Sequence, residues 1–161
     1  MRYAYYPGCS LKATAIDFNL SFEFVAKSLG IDLVEVRDWV CCGASSAHAT
    51  SHMLSVALPV FNLAHAEQDG FDKVIAPCLA CLSRFKAANV ELEHDRDLKE
   101  KIHQVFDYKY QGNVRAYHPL EIFLEMGHRR RSMHHLNEAA DFGRDTEEMR
   151  MLRDRLKGDV L

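Results

Sequence analysis

The chain has 161 residues, enough for one domain with a full hydrophobic core and no need of disulfide staples. Apolar residues make up 48% and charged residues 27%, an ordinary globular balance, and a formal net charge of −3 offers no basic surface for nucleic acid or an anionic membrane. The opening MRYAYYPGCS lacks a secretory pattern, and the apolar-leaning stretch Met53–Ala66 is too short and broken to span a bilayer, so a cytoplasmic location is expected.

In chain order, RYAYY (Arg2–Tyr6) reads as a short aromatic strand followed by the turn signal PGCS. Between Thr14 and Leu29, Ile16, Phe18, Leu20, Phe22, Phe24, Val25 and Leu29 predict an amphipathic helix, with Gly30 placed as its C-cap glycine. IDLVEV (Ile31–Val36) alternates as a second strand. A long helix is expected over Ser45–Gln68, kinked at Pro59, which lacks a donor and clashes with the preceding turn. DKVIA (Asp72–Ala76) is a third strand, ended by Pro77, and a helix follows over Leu79–Asn89. Glu91–Tyr110 predicts a charged surface helix with Leu98, Ile102, Val105 and Phe106 on one face, and a short helix is expected near Pro119. The charged tail carries a further expected helix over Glu138–Lys157. The alternation is βαβαβα, an α/β fold with a small parallel sheet, flanking helices and a helical C-terminal extension. The expected organisation is one cysteine-rich domain over residues 1–127 and a charged tail over 128–161.

Five cysteines fall on this map with the spacing C-x31-CC-x35-C-x2-C: Cys9, Cys41, Cys42, Cys78 and Cys81. Cys9 follows the first strand, Cys41 and Cys42 the second, and Cys78 the third. In a parallel sheet these positions share the carboxyl edge, where open α/β folds gather ligands. An odd count cannot pair fully into disulfides, and cytoplasmic thiols stay reduced unless they do redox chemistry or hold metal. Thiolates select iron–sulfur clusters, zinc or Cu(I). Four complete a closed zinc site or a cubane cluster, whereas a fifth suits a larger iron–sulfur assembly with a bridging thiolate. Gly43, without a Cβ, is expected to let the backbone come close to inorganic sulfide.

The cysteine spacing and the flanks YYPGCSLKATA, EVRDWVCCGASSAH, ALPVFNLAHAE and APCLACLSRFKAAN resemble the CCG cysteine-rich domain found in the disulfide-cleaving subunit of heterodisulfide reductase and its relatives. The resemblance covers roughly Met1–Val90. It implies that Cys9, Cys41, Cys42, Cys78 and Cys81 bind one noncubane 4Fe-4S cluster and that the chain is part of an oxidoreductase acting on a disulfide or related sulfur substrate. It further implies a ferredoxin-like iron–sulfur subunit and a flavoprotein subunit as partners. The heterodisulfide reductase proteins of this type carry two CCG repeats, and this chain has no cysteine after Cys81. A second CCG domain, a homodimer or another subunit would then complete the paired arrangement. The alternative is a non-catalytic electron-transfer module or a structural zinc-binding module of a larger complex.

Other residues carry secondary readings. His48 and His52, at i and i+4, could share a helix face beside the vicinal cysteines, as polar lining or as ligands. His118 could cap the helix near Pro119, while His128, His134 and His135 read as solvated. Tyr5, Tyr6 and Trp39 read either as core aromatics or as a shield against water. Lys12, Arg84 and Lys86, close in sequence to the cysteines, could offset anionic charge or steer an anionic substrate, and HRRR (His128–Arg131) reads as a solvated run or a docking patch for an acidic subunit.

Overall fold

The structure, a computed structural model, describes residues 1–45, 47–127 and 147–158. It divides into a compact unit, Arg2–Pro119, and a second unit from Leu120 onward. In the first unit the order is β1 (Arg2–Tyr5), α1 (Gly8–Leu11), α2 (Ile16–Ser28), β2 (Asp32–Glu35), α3 (Ala47–Thr50), α4 (His52–Gln68), β3 (Lys73–Ile75), α5 (Leu79–His94), α6 (Arg96–Val105) and β4 (Arg115–Tyr117). Residues 119–127 form α7, and Glu147–Gly158 form α8. Of the helix expected over Glu138–Lys157, residues 138–146 lie outside the described residues, as do His128, His134, His135 and the HRRR run.

Among the described residues the strands form one parallel sheet in the order β2-β1-β3-β4. Ala4 pairs with Val34 on one side and Val74 on the other, and Val74 pairs with Ala116. The ladders run one step past the strand ends, with Val36 N donating to Tyr5 O (2.9 Å), Tyr6 N to Ile75 O (2.9 Å) and Ala76 N to Tyr117 O (3.0 Å). The chain leaves β1 toward β2 on one side and returns to β3 on the other. A crevice therefore opens at the carboxyl ends of β1 and β3, the switch point where such sheets bind ligands.

The α/β expectation holds, with differences in detail. The fourth strand, Arg115–Tyr117, lies in a stretch from which periodicity predicts only the helix that follows it. Its approach is fixed by side chains distant in sequence: Glu67 accepts from Tyr108 Oη (3.0 Å), Gln111 N (2.9 Å) and Asn113 N (3.0 Å), while Asn89 Nδ2 donates to Val114 O (2.8 Å). The long helix expected over Ser45–Gln68 is two helices, because Ser51 is extended and its Oγ caps α4 by accepting from Leu54 N. From there α4 continues to Gln68 with Pro59 buried inside it. Finally, α2 buries Asn19, Phe22 and Ala26, spaced i, i+3 and i+7, and leaves Ile16, Phe18, Leu20, Phe24 and Val25 exposed, with Phe24 at 73%. At 3.6 residues per turn Leu20 and Phe24 point away from the buried stripe, while Phe18 and Val25, at i−4 and i+3 to Phe22, lie along its margin.

The core lies between the sheet and the α4–α5 pair, where Val56, Val60 and Leu63 meet Phe85, Ala88 and Leu92 around Tyr6 and Val74. Asp95 caps α6 by accepting from Leu98 N (2.9 Å), so the helix expected over Glu91–Tyr110 starts only at Arg96; Leu98 and Ile102 turn inward as the periodicity predicts, while Val105 is exposed. The buried core thus packs against the sheet whose carboxyl edge carries the cysteines.

Candidate metal centre

The five cysteines reach that edge from three loop–helix junctions. Cys9 lies in α1 after β1, Cys41 and Cys42 in the loop after β2, Cys78 at the N-cap of α5 after β3, and Cys81 in the first turn of α5. Cys42 Sγ and Cys81 Sγ are 3.1 Å apart. Cys41 lies close enough to Cys9 and Cys42, and Cys81 to Cys78, for each to act on the other's charge. The sulfurs thus form a chain of neighbours: Cys9, Cys41, Cys42, Cys81, Cys78. Among the described residues no three His, Cys, Asp or Glu side chains are gathered round a single point as for one metal ion.

The electrostatics follow from this chain. Cys42 and Cys81 share one proton across this contact: when Cys42 is ionised its sulfur accepts from the Cys81 thiol, and also from backbone N–H groups at Ala44 and at Cys42 itself. These donors outweigh burial and lower the Cys42 thiol to about 6. Cys81 moves strongly the other way, since it holds the shared proton, is buried and lies beside Cys42 and Cys78. Gly43 N donates to Cys41 Sγ (3.4 Å), which favours the Cys41 thiolate, but burial and the neighbouring Cys9 and Cys42 outweigh it and push this thiol up. Tyr6 stands against the whole group. Its hydroxyl is raised first by burial and then by Cys81, Cys42, Cys41 and Cys9.

Five soft donors, an anion-stabilising loop and the start of a long helix suit a sulfur-ligated metal group. The glycines refine this. α1 opens at Gly8 with φ +68°, and a Cβ there would lie 3.0 Å from the Tyr6 ring and 3.2 Å from Cys81 Sγ. Gly8, which the sequence marks only as part of the PGCS turn, is therefore what lets the Cys9 segment lie against Cys81. Gly43 departs from its expected part. At φ +74° its absent Cβ would meet Ala47 Cβ at 2.6 Å and Leu58 Cδ1 at 2.9 Å, so its space is taken by α3 and α4 packing.

The remaining candidates divide. Tyr6 packs edge-on between Trp39 (5.5 Å between ring centroids) and Phe85 (4.8 Å), as an aromatic wall behind the sulfurs. Tyr5 does not join it: alternation along the strand turns it to the other face, where it stacks on Phe22 and donates to Asn19 Oδ1. Lys12 is engaged by Glu35 (2.7 Å), whose other oxygen accepts from Trp39 Nε1 (2.8 Å). Burial disfavours the Glu35 charge, but these two donors prevail and hold its carboxyl below the ordinary value. His52 pairs with Glu91 (3.1 Å) at the start of α4, and the break at Ser51 removes the helix face it was expected to share with His48. Arg84 and Lys86 lie along α5.

Comparison with known proteins agrees with this arrangement. The chain is 37% identical over 113 residues to the 8-methylmenaquinol:fumarate reductase membrane anchor subunit of Wolinella succinogenes. That alignment takes in 68% of this chain and 39% of the relative, so the chain spans well under half the length of the protein it matches. Among the described residues no helix is long and apolar enough to cross a membrane. The family model of the cysteine-rich domain CCG matches residues 3–86, which hold all five cysteines, and the chain belongs to that family.

Proposed function

We propose that the chain is a redox module, akin to one CCG domain of the heterodisulfide reductases, holding one noncubane 4Fe-4S cluster on Cys9, Cys41, Cys42, Cys78 and Cys81. The observation that carries the reading is the continuous chain of sulfur neighbours at the sheet's switch point. Bound there, the cluster would supply one-electron chemistry toward a disulfide or related sulfur substrate. The chain's own residues do the rest. The Gly43, Ala44 and Cys42 N–H groups stabilise thiolates, and Tyr6, Trp39 and Phe85 keep water from the inner side. Lys12 and Glu35 tie α1 to the loop after β2, holding Cys9 near Cys41.

In this reading the chain works in a reducing, cytoplasmic setting within a larger reductase, receiving electrons from a ferredoxin-like subunit fed by a flavoprotein. The relative's description as a membrane anchor subunit of a reductase supports a place in a multi-subunit complex. Its greater length favours completion of the active site by a second CCG domain, a second copy or another subunit. The same observation carries the second reading, a non-catalytic electron-transfer or structural zinc module. Anaerobic iron, sulfide and zinc analysis with EPR separates them. Iron and sulfide at about four each per chain, lost in Cys41→Ser and Cys42→Ser, is the expected result. Zinc without iron would overturn the redox assignment.

A further inference from the structure

The loop that delivers Cys41 and Cys42 has left the sheet, since the β1–β2 ladder ends with Val36 N on Tyr5 O. Its backbone is held instead by side chains. Asn62, in the middle of α4 and 1% exposed, meets Val40 as a strand would: Val40 N donates to Asn62 Oδ1 (2.8 Å), and Asn62 Nδ2 donates to Val40 O (3.0 Å). The same Nδ2 donates to Leu58 O (3.0 Å), so the carboxamide is anchored in its own helix. Val40 O takes a second bond from Tyr6 Oη (2.8 Å). One turn further along α4, a ring nitrogen of His65 donates to Arg37 O (2.8 Å), and beyond it Arg37 pairs with Asp69 (3.1 Å). Asn62, His65 and the C-cap Asp69 stand at i, i+3 and i+7, so one side of α4 holds both ends of the Arg37–Val40 segment.

The Val40 carbonyl belongs to the peptide unit that carries the Cys41 N–H. That unit is planar, so two hydrogen bonds on its oxygen fix its rotation, and with it the direction in which the chain enters the vicinal pair. We infer that Asn62, assisted by the Tyr6 hydroxyl, is the positioning residue for the Cys41–Cys42 pair, setting the peptide plane that turns Cys41 toward Cys9 and Cys42 toward Cys81. The role rests on the five-cysteine ligand reading where it concerns metal, but the geometry it controls is a property of the metal-free chain.

The test uses the full chain, metal-free and reduced, with each cysteine's alkylation by iodoacetamide followed by mass mapping. Asn62→Ala removes both side-chain bonds to Val40 and should raise the rate at Cys42, which is 3% exposed in the native chain, at least about tenfold, the scale on which loss of a single buried hydrogen bond shifts a local opening equilibrium. Cys78 should keep its rate. Tyr6→Phe, which removes one oxygen and keeps the ring, should give the same pattern at smaller size, and it decides the matter if Asn62→Ala does not fold. Parallel acceleration at all five cysteines would mean general loosening and overturn the role, as would an unchanged Cys42. Reconstituted with iron and sulfide, Asn62→Ala should load more slowly than wild type and show an altered EPR spectrum; equal loading with an identical spectrum also overturns it. A wild-type chain that takes up no iron defeats the ligand reading alone, and the alkylation pattern still decides Asn62.

Discussion

Gly8 offers the sharpest perturbation of the sulfur group, because a matched control lies in the same unit. Gly8→Ala meets two costs. At φ +68° any L side chain incurs the left-handed penalty, about 1–2 kcal/mol. The new methyl would also lie 3.0 Å from the Tyr6 ring and 3.2 Å from Cys81 Sγ. Tyr6 is fully buried, locked by the Val40 carbonyl and pinned between Trp39 and Phe85, so it has nowhere to retreat. Overpacking of this kind costs roughly 1–3 kcal/mol more. Gly30→Ala, at φ +74° with nothing within 4 Å of the built Cβ, incurs the backbone penalty alone. Urea unfolding of the metal-free chain should therefore place Gly30→Ala about 1–2 kcal/mol below wild type and Gly8→Ala about 2–5 kcal/mol below. The extra loss at Gly8 should come with lower iron and sulfide uptake, since the methyl pushes Cys81 from its place, while Gly30→Ala loads normally. Equal destabilisation by the two variants would refute the close approach of α1 to Cys81.

Three further outcomes follow from the same contacts. Glu67→Ala removes the acceptor shared by Tyr108, Gln111 and Asn113; it should cost about 2–3 kcal/mol and speed amide hydrogen exchange at Arg115, the first residue of β4, and at Ala76, which donates to β4, more than at Val36 on the far side of the sheet. In the metal-free chain, thiolate absorbance should show one thiol ionising near about 6, and Cys81→Ala should move that midpoint upward by removing the donor to Cys42; an unmoved midpoint would rule out the shared proton. The Glu35 carboxyl sits below its ordinary value, so its contribution to stability is present above the unfolded carboxylate range and is lost as pH falls through the folded value. The deficit of Glu35→Gln relative to wild type should accordingly be seen at neutral pH, stay under about 1 kcal/mol for so exposed a pair, and close on acidification.

What the sequence disclosed, and what it concealed, follows from the range of the interactions. Strands β1 to β3 and helices α2, α5 and α6 were legible because local alternation and turn residues specify them. The shared edge of the cysteines then followed from parallel topology alone. β4 was hidden, because three residues carry no usable period and its place depends on Glu67 and Asn89, each more than twenty positions away. The outward apolar side chains of α2 misled for a related reason: hydrophobicity marked the helix, while burial was decided by Asn19, a polar residue satisfied by Tyr5 and Glu23. The glycine next to the vicinal pair drew attention by adjacency, yet Gly8, remote from Cys81 in sequence, is the one that touches it. Close approach between distant segments leaves no mark in a linear pattern.

The vicinal pair itself has a geometric explanation in the strand order. Cys9 comes from the end of β1, and Cys78 and Cys81 come from the end of β3, on either side of the switch-point crevice. A single cysteine in the loop after β2 could reach toward one side only. Two consecutive residues project in diverging directions, and here Cys41 meets Cys9 while Cys42 meets Cys81. The pair thus spans the crevice from a single loop, provided that the loop enters at one fixed rotation. That condition explains why Val40, just before the pair, has both of its peptide groups bound by side chains of other elements. A fifth thiol is therefore what joins two strand ends into one continuous set of donors, and without it the Cys9 side and the Cys78–Cys81 side would remain separate pairs.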